Sequence, residues 1–237
     1  MSPYPFRRLQ IELAELIHSL PAEARLPSEP LLAKQMGVSR ATLREAMRTF
    51  EGQGLIRRRQ GVGTFVAPKV PVMDTGLEVL ESLETIALRS GMTVRMGELQ
   101  VEKVAADENL AKLLNLEVEA ELTCVTRIIF TEQRPVAYLV DTLPLDILGV
   151  EELESGFTGS VLDLLLKRGA PKLTQSRTEI KAIGATSEVA RALQIQRDAV
   201  LLHFAAQLYS EDSRVVDYSD SYFLPGYFRF HVVRRVG

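Results

Sequence analysis

Leu9, Leu13, Leu16, Ile17 and Leu20 recur at helical spacing and set one apolar stripe on a helix that Pro21 stops. Ser28-Glu29-Pro30 supplies an N-cap candidate and a proline near the first helical position, predicting a short helix through Met36. Gly37 ends it in a tight turn, and Ser39 caps a third helix. There Leu43, Ala46, Met47 and Phe50 face inward, Arg40, Arg44 and Arg48 face out, and Gly52 and Gly54 close the segment. Leu55 to Arg59 and Thr64 to Val66 then read as two short strands around the tip Gln60-Gly61-Val62-Gly63. Two helices joined by a glycine-containing turn and followed by a hairpin make a winged helix-turn-helix.

After Ala67-Pro68-Lys69-Val70-Pro71 the pattern changes. Leu77, Leu80, Leu83, Ile86 and Ala87 predict a helix ending near Gly91. Strand-like runs dominate from there: 96–104, 122–130, 136–144, 173–183, 200–209 and 215–223, interrupted by helical segments near 109–114, 160–168 and 188–193. The expected fold is α+β: an N-terminal winged helix-turn-helix over 1–68, a proline-stiffened linker over 69–75, and an α+β domain with a mainly antiparallel sheet over 76–237. No internal repeat or low-complexity tract is visible in the sequence.

Whole-chain composition, 46% hydrophobic and 25% charged over 237 residues, is that of an ordinary globular protein and decides little. Divided charge is more informative. Residues 1–68 hold ten Lys/Arg against six Asp/Glu, and the remainder eighteen against twenty-five. The first unit therefore expects a polyanion and the second a different partner. The apolar stretch 9–20 is broken by Glu12, Glu15 and His18 and is too short for a membrane span, so a cytoplasmic protein without a membrane partner is expected. The single Cys124 allows no intramolecular disulfide and reads as a small buried hydrophobe.

Arg40, Arg44 and Arg48 stand at i, i+4 and i+8, where like charges repel by a few tenths of a kcal/mol, ~0.2–0.5 per pair. Such a helix can simply be solvated, with Glu45 and Glu51 compensating. As the second helix of a helix-turn-helix it instead offers its start to a DNA major groove, where arginine bonds guanine and Thr42 approaches a thymine methyl or a phosphate. At the hairpin, Gly61 and Gly63 permit a close backbone approach while Arg57, Arg58 and Arg59 supply charge.

The run LPSEPLLAKQMGVSRATLREAMRTFEGQGLIRRRQGVGTFV, residues 26–66, closely resembles the DNA-binding domain of GntR-type bacterial transcription regulators. The resemblance implies a DNA interface at Ser39, Arg40, Thr42, Arg44, Arg48, Arg58, Gln60, Gly61, Gly63 and Thr64. One departure is Pro30, where the family often has arginine after the LPSE glutamate. For the second domain, TRIIFTEQRPVAYLVDTLP, SVLDLLLKRG and VVDYSDSYFLPGYFRF look like the HutC branch, with a UTRA effector domain related in fold to chorismate lyase. The branch with a histidine-rich metal site fits less well, since only His203 and His231 follow the linker. No metal or cofactor is expected, and both histidines read as structural or surface residues.

Carried onto this sequence, the family's effector pocket falls on Arg127, Ile129, Leu139, Asp141, Leu162, Asp217 and Phe223. A second arginine, a glutamate and two tyrosines of the family pattern are replaced by Ile129, Leu139, Leu162 and Phe223. One cation in an apolar wall points to a carboxylate with an apolar body, its acid on Arg127 and any amine on Asp217 or Asp141. The alternative is that Arg127 pairs internally with Asp141 or Asp217 and the pocket lies elsewhere. The resemblance implies a homodimeric repressor of catabolic or transport genes that binds a palindromic operator and is released by a small metabolite. The rival class is a chorismate-lyase-like enzyme fused to a DNA-binding domain, although no nucleophile–base pair or phosphate-binding glycine loop is visible.

Overall fold

A computed structural model of the chain describes residues 4–52, 54–59, 62–67, 72–132, 134–154, 157 and 159–236. The N-terminal unit holds α1 (Tyr4–Ser19), α2 (Glu29–Gln35), α3 (Arg40–Gly52), β1 (Ile56–Arg59) and β2 (Gly63–Val66). Leu9, Leu13 and Ile17 of α1 meet Leu32 of α2, Leu43, Met47 and Phe50 of α3 and Ile56 of β1 in one buried core. β1 and β2 pair antiparallel with Arg58 opposite Thr64. Arg25 bridges Phe65 from the far side, and Leu26 N donates to Thr64 O at 2.8 Å, which anchors the hairpin to the helices.

Capping divides as the backbone dictates. Ser39 Oγ accepts from Thr42 N at 3.1 Å, satisfying an orphan amide of α3. Ser28, expected to cap α2, makes no side-chain capping bond; Pro30 in the first turn removes one of the donors such a cap would serve. Gly37 takes φ +65° in the turn between the two helices, a conformation that needs glycine.

Two expectations around the linker are corrected. Met73–Gly76, within and just beyond the expected linker, forms β3, parallel to β10 (Phe228–His231) near the C-terminus. The helix expected from Leu77 is shorter: α4 spans Leu83–Arg89, because Ser82 Oγ accepts from Thr85 N at 3.1 Å and starts it there. Leu77 and Leu80 lie before that cap and are exposed.

The second unit is built on six strands: β4 (Val94–Ala105), β5 (Glu121–Thr131), β6 (Arg134–Pro144), β7 (Leu173–Gly184), β8 (Val200–Ser210) and β9 (Val215–Phe223). Their order is β4-β5-β6-β9-β8-β7, every neighbouring pair antiparallel. Helices α5 (Glu108–Leu114), α7 (Val161–Arg168) and α8 (Ser187–Ala192) fall where the spacing predicts them, and α6 (Val150–Glu154) adds a turn that the sequence reading missed. Ile129, Ala137, Leu139, Leu201, Phe204 and Phe223 form the main core with Leu83, Ile86 and Ala87 of α4.

The sheet order is a mirror image about its centre, and the local structure repeats with it. Asp107 caps α5 and Thr186 caps α8. Ala106 N bonds Ala120 O, and Glu119 N returns to Ala106 O; Ala185 N bonds Ala199 O, and Asp198 N returns to Ala185 O. Asn115 and Glu119 take positive φ, as do Gln194 and Asp198. The domain is therefore two copies of a strand–helix–strand–strand unit, an internal repeat that the sequence did not reveal because only alanines and leucines at the corner coincide.

Candidate nucleic-acid interface and buried polar site

Arg40, Ala41, Arg44, Glu45 and Arg48 line a shallow groove along the outer face of α3. The stripe is organised by carboxylates from outside its helix. Glu29, in the first turn of α2, holds Arg44 Nε at 2.6 Å with Oε2 and Arg58 Nη2 at 3.2 Å with Oε1. One glutamate thus ties the third helix to the hairpin. Only Nε of Arg44 is engaged, so its terminal nitrogens remain free of that contact. Arg48 pairs with Glu45 at 3.0 Å, and Arg40 forms no ion pair among the described residues. On the hairpin, Arg57 pairs with Glu23, and the Arg59 guanidinium lies 5.1 Å from the Phe65 ring centroid.

Of the residues expected at this surface, Ser39, Arg40, Arg44, Arg48 and Arg58 are exposed and Thr42 is half-buried. Ser39 and Thr42 bond each other at 2.8 Å through their hydroxyls. Thr64 departs from expectation: it is buried, and alternation along β2 turns its side chain to the core. Gly63 has φ +139°, a conformation that favours glycine, and a Cβ there would stand 2.7 Å from Arg25 Nε, so the arginine side chain would have to shift. Gln60 and Gly61 lie outside the described residues. Glu29 and Glu23 were missed in the sequence, because their partners are 15 to 36 positions away and no local spacing reveals the pairing.

In the second domain Arg127, Ile129, Leu139, Asp141 and Phe223 share one face of the sheet through register, Arg127 opposite Leu139 and Val125 opposite Asp141. Ile129, Leu139 and Phe223 are sealed into the core with α4, whereas Leu162 packs in a separate cluster with Val125 and Leu165. What remains is a buried polar group of Arg127, Asp141 and Asp217. Arg127 Nη2 donates to Asp141 Oδ2 and Nη1 to the Gly159 carbonyl, and the guanidinium lies 5.8 Å from the Phe157 ring centroid. The internal pairing of Arg127 with Asp141 is therefore present, and both terminal nitrogens of the guanidinium are engaged within the protein.

Two atoms in this group have no partner among the described residues: Arg127 Nε and Asp217 Oδ1. Buried polar atoms are rarely left so. Burial, then the adjacent Asp141 charge, hold the Asp217 carboxyl well above the usual carboxylate range. Glu84 of α4, also near Arg127, is pushed up chiefly by burial. His203 bonds Asp220 at 2.7 Å and stacks on Tyr222 at 4.7 Å, and His231 bonds Asp74 at 2.9 Å, so both serve structural contacts. Burial pushes the Cys124 thiol up, away from reactivity.

The family model for bacterial regulatory proteins of the gntR family matches residues 7–66, and that for the UTRA domain matches residues 89–229. The chain is a GntR-family transcription regulator of the HutC-like branch. Its relatives include the HTH-type transcriptional repressor NagR of Bacillus subtilis, 28% identical over 90% of this chain and 85% of that protein. The histidine utilization repressor of Pseudomonas putida is 32% identical over 76% of this chain and 71% of its own length. Among solved structures, PhnF from Mycobacterium smegmatis superposes with a TM-score of 0.65 at 21% identity, covering 97% of this chain and all of that one, and shares the fold. The GntR and UTRA assignments make this protein a regulator and not an enzyme. Among the described residues no helix is long and apolar enough to cross a membrane.

Proposed function

We propose that this regulator is a homodimeric repressor that acts in the cytoplasm, reads a palindromic operator through α3 and the β1–β2 hairpin, and is released by a small metabolite bound in its UTRA domain. The observation that carries the DNA half is the exposed Arg40–Arg44–Arg48 stripe with Arg44 and Arg58 braced by one glutamate, Glu29. A dimer places two such surfaces about one helical turn apart on DNA, as palindromic half-sites require. NagR, the histidine utilization repressor and MngR of Escherichia coli, the mannosyl-D-glycerate transport/metabolism system repressor, are all named repressors, which favours repression here. To test the reading, a duplex is selected from random-sequence DNA with the wild-type protein. Arg44→Ala should then weaken binding to that duplex by about 1–3 kcal/mol; unchanged affinity sinks the assignment.

For the effector, Arg127 Nε and Asp217 Oδ1, without partners among the described residues, are the supporting observation. A carboxylate with an apolar body and one donor group would meet both, its acid on Arg127 and its donor on Asp217, with Phe157 beside it. Arg127, Asp141 and Asp217 together offer one cation and no row of free donors, which disfavours a phosphosugar. Thermal-shift screening of apolar carboxylates against phosphosugars distinguishes the two. A clear preference for phosphosugars refutes the choice of ligand while leaving the DNA reading intact.

A further inference from the structure

Among the described residues the two domains meet at a junction whose parts come from distant stretches of chain. Arg134, the first residue of β6, donates from Nη2 to the carbonyl of Glu51 at 3.0 Å, in the last turn of α3. The same guanidinium lies 5.9 Å from the Tyr227 ring centroid. Tyr227 is buried and also touches the DNA-binding domain: a Cβ on Gly54 would stand 3.0 Å from its ring. Met73 N, at the start of β3, donates to Tyr227 O at 2.9 Å. A half-open cleft of about 620 Å³ runs beside this contact, lined by residues of both domains.

Arg134 suits this place for a physical reason. It forms no ion pair among the described residues, so its charge is directed at a helix C-terminal carbonyl, where the helix dipole favours a cation. The contact is tied to the recognition surface because Glu51 and the arginine stripe belong to one short rigid helix. It is tied to the buried polar group because β5 and β6 carry Arg127 and Asp141 along their length and meet at the turn before Arg134. Asp141 lies seven positions along the strand from Arg134, about 23 Å at the usual rise.

We propose that Arg134 is a positioning residue for DNA recognition. It clamps the C-terminal end of α3 to the effector domain and holds the DNA head in an operator-ready orientation, with the β5–β6 hairpin as the element that links this clamp to the polar site. A pre-set head loses less freedom when both half-sites are engaged, so releasing it weakens operator binding. Displacing Asp141 shifts β6, and that shift reaches α3 through Arg134.

The test uses the full-length protein and the duplex selected from random-sequence DNA. Arg134→Ala should weaken binding at least about fivefold, the lower end of ordinary coupling between sites. Hydrogen exchange should quicken in peptides spanning 50–59 and 224–231, while α5 peptides stay at wild-type rates. Arg134→Lys, which can still donate to the Glu51 carbonyl, should restore most of the affinity. Arg134→Gln repeats the measurement should the alanine variant melt early. Wild-type affinity, or quicker exchange without loss of affinity, overturns the proposal. So does lost affinity with unchanged exchange and a salt dependence shallower by about one ion, which would make Arg134 a direct phosphate contact.

Discussion

Replacing Glu29 with glutamine separates two effects that most substitutions at a DNA surface confound. Glu29 accepts from Arg44 at 2.6 Å and Arg58 at 3.2 Å while its own side chain is 18% exposed; the arginine side chains are 51% and 37% exposed. Exposed pairs of this kind contribute about 0.2–1 kcal/mol each, so the protein loses at most about 1–2 kcal/mol and stays folded. Glutamine keeps the shape and removes one negative charge from a surface that faces phosphates. Affinity for random duplex should therefore rise slightly. Selectivity should move the other way. A well-placed arginine discriminates among bases by about 1–3 kcal/mol; if half of that depends on the brace, the ratio of operator to random-duplex affinity falls about two- to tenfold. Fluorescence anisotropy with both duplexes at several salt concentrations reads the two affinities. An unchanged ratio in Glu29→Gln, alongside a ratio reduced by Arg44→Ala, would refute the bracing role.

Other expectations follow from the same contacts. Arg40, exposed and without an ion pair among the described residues, is placed for phosphate, so Arg40→Ala should lower affinity across sequences and reduce the salt slope by about 1; a sequence-dependent loss contradicts this. Ser39→Ala removes the α3 cap and should cost about 1 kcal/mol, seen as a lower melting temperature of the DNA-binding domain; a rise in melting temperature would contradict the cap. Asp217 has a raised folded-state pKa, so its contribution is full below the unfolded value near about 3.9 and is lost as pH climbs toward and through the folded value. Asp217→Asn should therefore gain on the wild type in thermal melts as pH rises from about 4 to about 8, and a constant difference argues against a buried proton at this position.

The winged domain was legible because its signals are local. Leu9 to Ile17 and Leu43 to Phe50 declare their buried faces by spacing, Ser39 caps the helix it precedes, and Gly37 marks the turn. The strands of the second domain were legible by apolar alternation, and the ends of β9 coincide with the run 215–223. Contacts between distant positions were not. β3 is four residues after a proline pair, and only Phe228–His231, about 155 positions later, makes it a strand. At the polar site, strand alternation brought Arg127 and Asp141 to one face, and their mutual pairing stood as an alternative. The choice depended on Gly159 and Asp217, which arrive from elsewhere in the chain.

The mirrored halves of the effector domain carry a consequence for how this regulator can change its ligand. Position 127 of the first copy corresponds to Ala206 in the second, at the 79-residue offset that relates Ala106 to Ala185 and Ala120 to Ala199. One copy carries the arginine and the other a methyl group on the same frame. The polar group nevertheless draws on both halves, with Arg127 on β5, Asp141 on β6 and Asp217 on β9. A change of ligand at this group therefore involves side chains from both halves, on β6 and β9, which pair at the centre of the sheet.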